Sequence, residues 1–436
     1  MELIARTHAE LGHGHMATRR EKVSRWESGR IVPELTAQLA IARIHRIDES
    51  LVLRLGWPQW MLAATGDDQL LSRPWTPHGA IMATRFTAAE AGNPGPALIA
   101  TGPALATQIR GALAALDGNN NPPERDGPRI SLEVLTWAER RIRTIENLET
   151  GTPVPLDALH LAARTEHRLI ADLLTSHGYD RATGTRLLLL AARTAALCTW
   201  TSYVTGAEVQ TERYNLAAIR AASASGASYR TAASVLQLCY RHLRRGHPGD
   251  ALSLLQAARV MIPRSSPRLT VIMHSHQTLV HARLAEPAAA FRSLRKAEQA
   301  VTQSSSPSDT DADPTGATID EEYIAAVHGE MWLRLGQPAR ALSCFGSLLA
   351  DEASPRGLPS PFDPVRLRPV VAAQLAAGQI DGAASTIHRA IIRTGGLPPM
   401  IAAGFRRQLA PYSSHPHARD AIEHLIGQTA PRSSAV

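Results

Sequence analysis

The residues best suited to chemistry stand near the N-terminus, in the stretch TRREKVSRWESGRIVP, residues 18–33. Arg19, Arg20, Lys22 and Arg25 crowd two helical turns, and Ser24 adds a hydroxyl among them. Such groups do non-covalent chemistry. Cations neutralise phosphates, and a guanidinium reads a guanine edge through two parallel hydrogen bonds. Val23 and Trp26 are three apart, so they share a face and can anchor the helix to a core. Thr18 is placed to cap the helix, with Glu21 three residues later as in a capping box. Gly29 suits the left-handed residue after the last turn, and Pro33 blocks early resumption of a helix. Cations on one side and a Val/Trp anchor on the other are what a helix lying in a DNA major groove requires. An ordinary solvated basic face has the same composition.

No catalytic constellation competes with this stretch, and the chain reads as a non-enzyme. His13 and His15, His274 and His276, and His415 and His417 are each two apart. That spacing on a helix sends the two rings to different faces, so no metal site is expected. Cys198, Cys239 and Cys344 lie far apart and read as small buried residues in a reducing compartment. GNPGP lacks the Lys-Ser/Thr that would follow in a phosphate loop. No serine sits in a nucleophile elbow, and no cofactor motif is present.

The elements that position the basic stretch follow from periodicity. A helix over residues 2–11 and a turn over 12–16 precede it. Residues 34–45 carry Leu35, Leu39, Ile41 and Ala42 at helical spacing, to pack beside it. Asp48 caps a further helix that Gly56 and Pro58 close, and Trp57 and Trp60 cover the edge. Residues 1–62 therefore read as one module. Residues 63–128 are dense in Gly, Pro, Ala and Asn, ending in GNNNPPERDGP, and read as a linker with a short helix at 103–116.

From residue 129 to 430 the pattern is helix, short turn, helix. The 436 residues are 44% hydrophobic but only 4% aromatic, a balance that predicts an all-α fold. Residues 131–149 carry Leu132, Leu135, Ile142, Ile145 and Leu148 on one face. Residues 155–176 form a second amphipath, and 184–204, apolar on most sides, a central helix. A repeat then emerges. Similar turns stand at Gly206, Gly246, Ala285, Gly336 and Gly378, at intervals of 40, 39, 51 and 42 residues. Five residues beyond the last four stand Ala251, Ala290, Ala341 and Ala383. Nine beyond stand Leu255, Leu294, Phe345 and Ile387. A small residue there lets paired helices approach, and the large one plugs the neighbouring repeat. The longest interval holds TQSSSPSDTDADPTGAT, residues 302–318, which reads as a disordered loop. Arg193, Trp200, Tyr203, Arg213, Tyr214, Tyr240, His242, His281 and Trp332 fall near expected inner faces and could line a ligand or partner site. The aromatics also fit packing between repeats.

Two resemblances sharpen these readings. VSRWESGRIVPE resembles the third helix and following turn of the Cro/repressor-type (XRE) helix-turn-helix family. By that resemblance Trp26 and Glu27 hold the helix to its module, and Thr18, Arg19, Arg20, Lys22, Ser24 and Arg25 face DNA. In that family a further helix precedes the pair. Here the chain starts within what resembles the second helix, so the module reads as truncated, with the apolar face of Leu3, Ile4 and Leu11 short of partners. The helical units resemble tetratricopeptide repeats, period ~34. Residues 322–349 are the clearest, with Gly329, Trp332, Gly336, Ala341 and Phe345 at small, large, turn, small and aromatic positions. Together the two resemble actinobacterial transcription regulators. The resemblance implies double-stranded DNA as partner, a homodimer, a peptide, small-molecule or protein ligand in the repeats, and a cytoplasmic, nucleoid-associated location. The alternative is an interaction scaffold that no longer binds DNA. The net charge of +7 permits a polyanionic partner. Only Lys22 and Lys296 are lysines, a bias that base composition also produces. No stretch is long and uninterrupted enough to expect a membrane partner.

Overall fold

The turns picked out in the sequence set the architecture. The computed structural model describes residues 1–27, 31–45, 47–61, 66–89, 99–118, 124–151, 155–264, 266–303, 319–346 and 363–429. Gly206, Gly246, Gly336 and Gly378 all adopt positive φ, as does Ala285 at 58°, alone among the described non-glycine residues. In each turn the N–H of the next residue reaches a carbonyl five positions back, for example His247 N to His242 O at 2.9 Å and Gln337 N to Trp332 O at 2.9 Å. The anchor's own N–H reaches three back, as from Gly336 to Leu333 O at 3.1 Å. This paired bonding satisfies the last carbonyls of a helix and needs a left-handed residue. The repeat in the sequence is therefore a repeat of helix C-caps.

Each turn joins two helices of a hairpin. The pairs are α10 (Arg181–Thr205) with α11 (Glu208–Ala224), α12 (Ser228–Arg245) with α13 (Pro248–Met261), and α14 (Pro267–Arg283) with α15 (Pro287–Gln303). They continue with α16 (Glu321–Arg334) and α17 (Pro338–Cys344), then α18 (Asp363–Ala376) and α19 (Ile380–Thr394). A sixth pair, α20 (Pro399–Leu409) and α21 (Pro416–Thr429), ends the chain's described part. Ala251, Ala290, Ala341 and Ala383 are fully buried in the second helices, as are Leu255, Phe345 and Ile387, with Leu294 nearly so. The small-large logic is most acute at Gly329, where an added Cβ would lie 2.2 Å from the Phe345 ring. Within the described residues of 302–318, Thr302 and Gln303 end α15, and the remainder lies outside them.

The first helices stack in order, α12 on α14, α14 on α16, α16 on α18 and α18 on α20. The series closes when α20 meets α10. Helix α10 is long and apolar enough by composition to cross a bilayer, yet 78% of its apolar window is buried inside the molecule. It serves as a core helix, in line with its all-round apolar pattern.

Ahead of the hairpins, α8 (Leu132–Gly151) and α9 (Leu156–Ser176) pack on α10. Composition suggested a linker over 63–128, and the structure corrects this for residues 66–89 and 99–118. They form α5 (Asp68–Leu71), α6 (Pro77–Ala89) and α7 (Gly102–Asp117), the last at the place of the short helix expected over 103–116, and all pack on α11. Polar side chains of α11 hold them. Arg213 Nε pairs with Asp67 Oδ1 at 2.7 Å. Glu212 accepts from Ile99 N at 2.8 Å and Ala100 N at 3.1 Å. Arg220 donates to Arg73 O and Gln108 Oε1 and lies over the Trp75 ring at 4.2 Å.

His167 ties α6 to α10 through α9. Its Nε2 lies 2.8 Å from Thr87 Oγ1 and its Nδ1 3.0 Å from Thr194 Oγ1. Burial drives its pKa down from the ordinary 6.5 to about 3. The unfolded chain takes up this proton near pH 6.5 and the folded chain only near 3, so the stabilisation is complete above 6.5 and is lost as pH falls between them. The slope is about 1.4 kcal/mol per pH unit. Replacing His167 by Asn should flatten the acid limb. Urea midpoints between pH 7 and 4.5 that run parallel for both proteins would refute this.

The N-terminal elements are α1 (Glu2–Glu10), α2 (Arg20–Glu27), α3 (Leu35–Ile44) and α4 (Glu49–Leu55). Ala5, Met16, Trp26, Ala37, Ile41, Val52 and Trp60 form their own buried cluster. Asp48 caps α4 by accepting from Ser50 N at 2.8 Å, as its sequence position predicts. Gln38 bridges Pro33 O and the Trp60 indole N–H. Leu3 and Leu11 are exposed and Ile4 is half-buried.

Candidate functional site

Helix α2 turns the Val23/Trp26 face inward. Trp26 is buried and Val23 packs beside it in the N-terminal cluster. Arg19, Arg20, Ser24 and Arg25 are exposed, while Lys22 sits half-buried with its Nζ 5.7 Å from the Trp26 ring centroid. The cation–aromatic contact draws the ammonium toward the anchor without removing it from water. The helix begins at Arg20, so Thr18 stands one position too early to be its N-cap and is exposed. Nine residues, 11–19, separate α1 from α2, with Gly12 and Gly14 at positive φ. Gly29 lies outside the described residues, as does the Glu27 side chain.

A second site opens where the inner helices converge. A cavity of about 650 Å³ is lined by residues from α10, α11, α12, α14, α16, α18 and α20. Its aromatic wall is Trp200, Tyr203, Tyr240 and Tyr323, with His276 stacked on Tyr240 at 5.4 Å between centroids. Its charged wall holds Arg241, Arg244 and Arg245 from α12, Arg368 from α18 and Arg407 from α20, against one carboxylate, Glu208. Glu208 is engaged with Arg245 through its carboxylate, and its carbonyl accepts from Arg241. Arg244 Nη1 donates to Tyr240 Oη at 3.4 Å. Behind this wall Glu330 holds Arg334 at 2.6 Å. Burial pushes the Arg368 guanidinium below its ordinary pKa, with the charges of Arg244 and Arg407 pressing the same way. His276 has its pKa lowered to about 4 by burial, so its ring is neutral at physiological pH. The Tyr203 hydroxyl and His276 Nδ1 are buried without a hydrogen-bond partner among the described residues.

Trp200, Tyr203 and Tyr240, expected on an inner face, therefore meet in this cavity. The other six candidates lie outside it, each with a structural partner. Arg193 pairs with Glu146 at 2.5 Å and Arg213 with Asp67. Tyr214 packs edge-on against His167. His242 lies buried 3.5 Å from Asp250, and His281 meets Glu286 at 2.7 Å. Trp332 packs against Phe291, with Arg340 over its face. The cavity residues that sequence reasoning missed are chiefly the arginines. Arg241, Arg244 and Arg245 stand at i, i+3 and i+4, a one-sided spacing that was open to view beside Tyr240.

His415 and His417 also behave unlike an i,i+2 helical pair, because His415 precedes α21. Both reach Asp381 on α19, His417 Nδ1 at 2.5 Å and His415 Nε2 at 3.7 Å. The cluster is largely exposed, and such surface His–Asp contacts form without a metal.

No protein-family model, no curated protein and no solved structure matches this chain.

Proposed function

We propose that this chain is a sequence-specific DNA-binding transcriptional regulator whose helical hairpins dimerise or hold a peptide, small-molecule or protein ligand. One observation carries the reading. Helix α2 buries Trp26 and leaves Arg20, Ser24 and Arg25 exposed, with Arg19 exposed just before its first turn. A helix pinned in this way offers cations to phosphates and guanidinium forks to base edges at once. In this reading residues 1–62 are a Cro/repressor-type helix-turn-helix module, and the hairpins are tetratricopeptide-like repeats. Two copies of the chain set two α2 helices on paired half-sites, and a ligand in the hairpin body alters their spacing. The protein acts in the cytoplasm, at the nucleoid when bound to DNA.

Selection of bound fragments from random double-stranded DNA by the full chain tests the reading. A recurrent motif with two half-sites is expected, and a pool no richer than the input overturns it. On the selected site, Arg19→Ala and Arg25→Ala should each weaken binding by about tenfold, the weight of one or two kcal/mol per lost contact. Helicity should be unchanged, since both side chains are exposed. Gel shifts at one fixed salt concentration check this, and undiminished affinity in both variants would remove α2 from the interface.

A further inference from the structure

The cavity's walls differ in kind, and the difference specifies a ligand. Its aromatic wall suits a planar apolar body, which gains from stacking as well as from burial. Its charged wall carries five guanidiniums against the single carboxylate of Glu208. That carboxylate is already taken by Arg245. Glu330 lies behind the wall, holds Arg334 and also attracts Arg244 and Arg368, while buried Glu212 attracts Arg241. The arginines still outnumber these carboxylates, and gathered like charges lose hydration and repel one another. Arg368 feels both costs, from its burial and from Arg244 and Arg407. The polar atoms beside them are unfinished too. His276 is 9% exposed, lines the cavity and leaves Nδ1 without a hydrogen-bond partner among the described residues, as Tyr203 leaves its hydroxyl. A buried group of this kind calls for a partner that the described residues do not supply. The volume lies in the range of sites that enclose a drug-sized molecule.

We propose that the cavity binds a small organic anion, its carboxylate, sulfonate or phosphate head set among Arg244, Arg368 and Arg407 and its ring-bearing body against Trp200, Tyr203 and Tyr240. This names the ligand class for the hairpin body of the proposed regulator, and so rests on the reading of that body as its ligand-holding part. An oxyanion head takes the charge-assisted donors that guanidiniums offer. Its charge also offsets the repulsion among the arginines. The ring body fills the aromatic wall, and His276 and Tyr203 supply neutral hydrogen bonds.

The test uses the full chain without DNA, so its outcome is separate from that of the DNA selection. The probes are 8-anilinonaphthalene-1-sulfonate and N-phenyl-1-naphthylamine, the same body without the sulfonate. Calorimetry should give one sulfonate bound per chain, at least about tenfold tighter than the neutral probe, the weight of one charged hydrogen bond. Arg368→Gln should remove about tenfold of that affinity and leave the neutral probe unchanged. Arg407→Gln, at an exposed rim position that folding does not need, should reduce it severalfold, with Arg407→Lys restoring part. Equal affinity for the two probes overturns the proposal, as does sulfonate binding that neither glutamine variant weakens.

Discussion

Arg213→Met should cost the chain about 3–5 kcal/mol of stability, a large part of the roughly 5–15 kcal/mol that folded domains possess. The Arg213 and Asp67 side chains are both 0% exposed, and the guanidinium Nε lies 2.7 Å from Asp67 Oδ1. Methionine fills similar space but leaves the Asp67 carboxylate buried without its cation. The position also lies where α11 grips the segment ahead of it, beside Glu212 and its acceptance from Ile99 and Ala100 N–H groups. Loss of the pair should therefore loosen residues 66–89 first, visible as faster amide exchange there. A second variant separates charge from packing. Removing both partners, Asp67→Asn with Arg213→Met, should cost clearly less than the sum of the two single changes, because no orphan charge remains. Urea unfolding followed by ellipticity measures all of these. A single variant within 1 kcal/mol of the parent would show that the pair is not what fixes the segment.

That grip also explains which parts of the fold were legible. The hairpin turns were, because a left-handed helix cap is a local demand that glycine meets, and Gly206, Gly246, Gly336 and Gly378 meet it. Their small and large followers were legible for the same reason: each contact falls a fixed number of residues after a turn. Residues 66–89 were not, and of 99–118 only the helix expected at 103–116 was. Their composition suits a linker, and what holds them is remote: Leu70, Ile99 and Leu105 join the core of the hairpins, and polar contacts span 112 residues for Ala100–Glu212 and 146 for Asp67–Arg213. The cavity was half legible. Trp200, Tyr203 and Tyr240 were picked out by type and face. The opposing Arg368 and Arg407 were not, since they come to the site only when α18 packs on α16 and α20 closes on α10. The burial of Trp26 was open to reading because Val23 and Trp26 lie three apart within one short helix.

Trp26→Ala should abolish DNA capture while leaving the hairpin body folded. Trp26 is a large buried side chain of the N-terminal cluster, and cutting a buried tryptophan to alanine costs about 3–5 kcal/mol. A module of roughly 60 residues seldom holds more than that in reserve. Helix α2 has eight residues and cannot persist in water without the packing that Trp26 supplies. The cluster shares no buried residue with those of the hairpins, so the loss should stay within the module. Trypsin reports it directly, because Arg20, Lys22 and Arg25 become cleavable once α2 unwinds, while the ellipticity of the hairpins remains. Arg25→Ala is the counterpart that separates fold from contact. It should weaken DNA binding with α2 still resistant, whereas Trp26→Ala should lose binding and resistance together. If Trp26→Ala keeps both, the tryptophan is not the anchor of α2, and the presentation of its arginines has another cause.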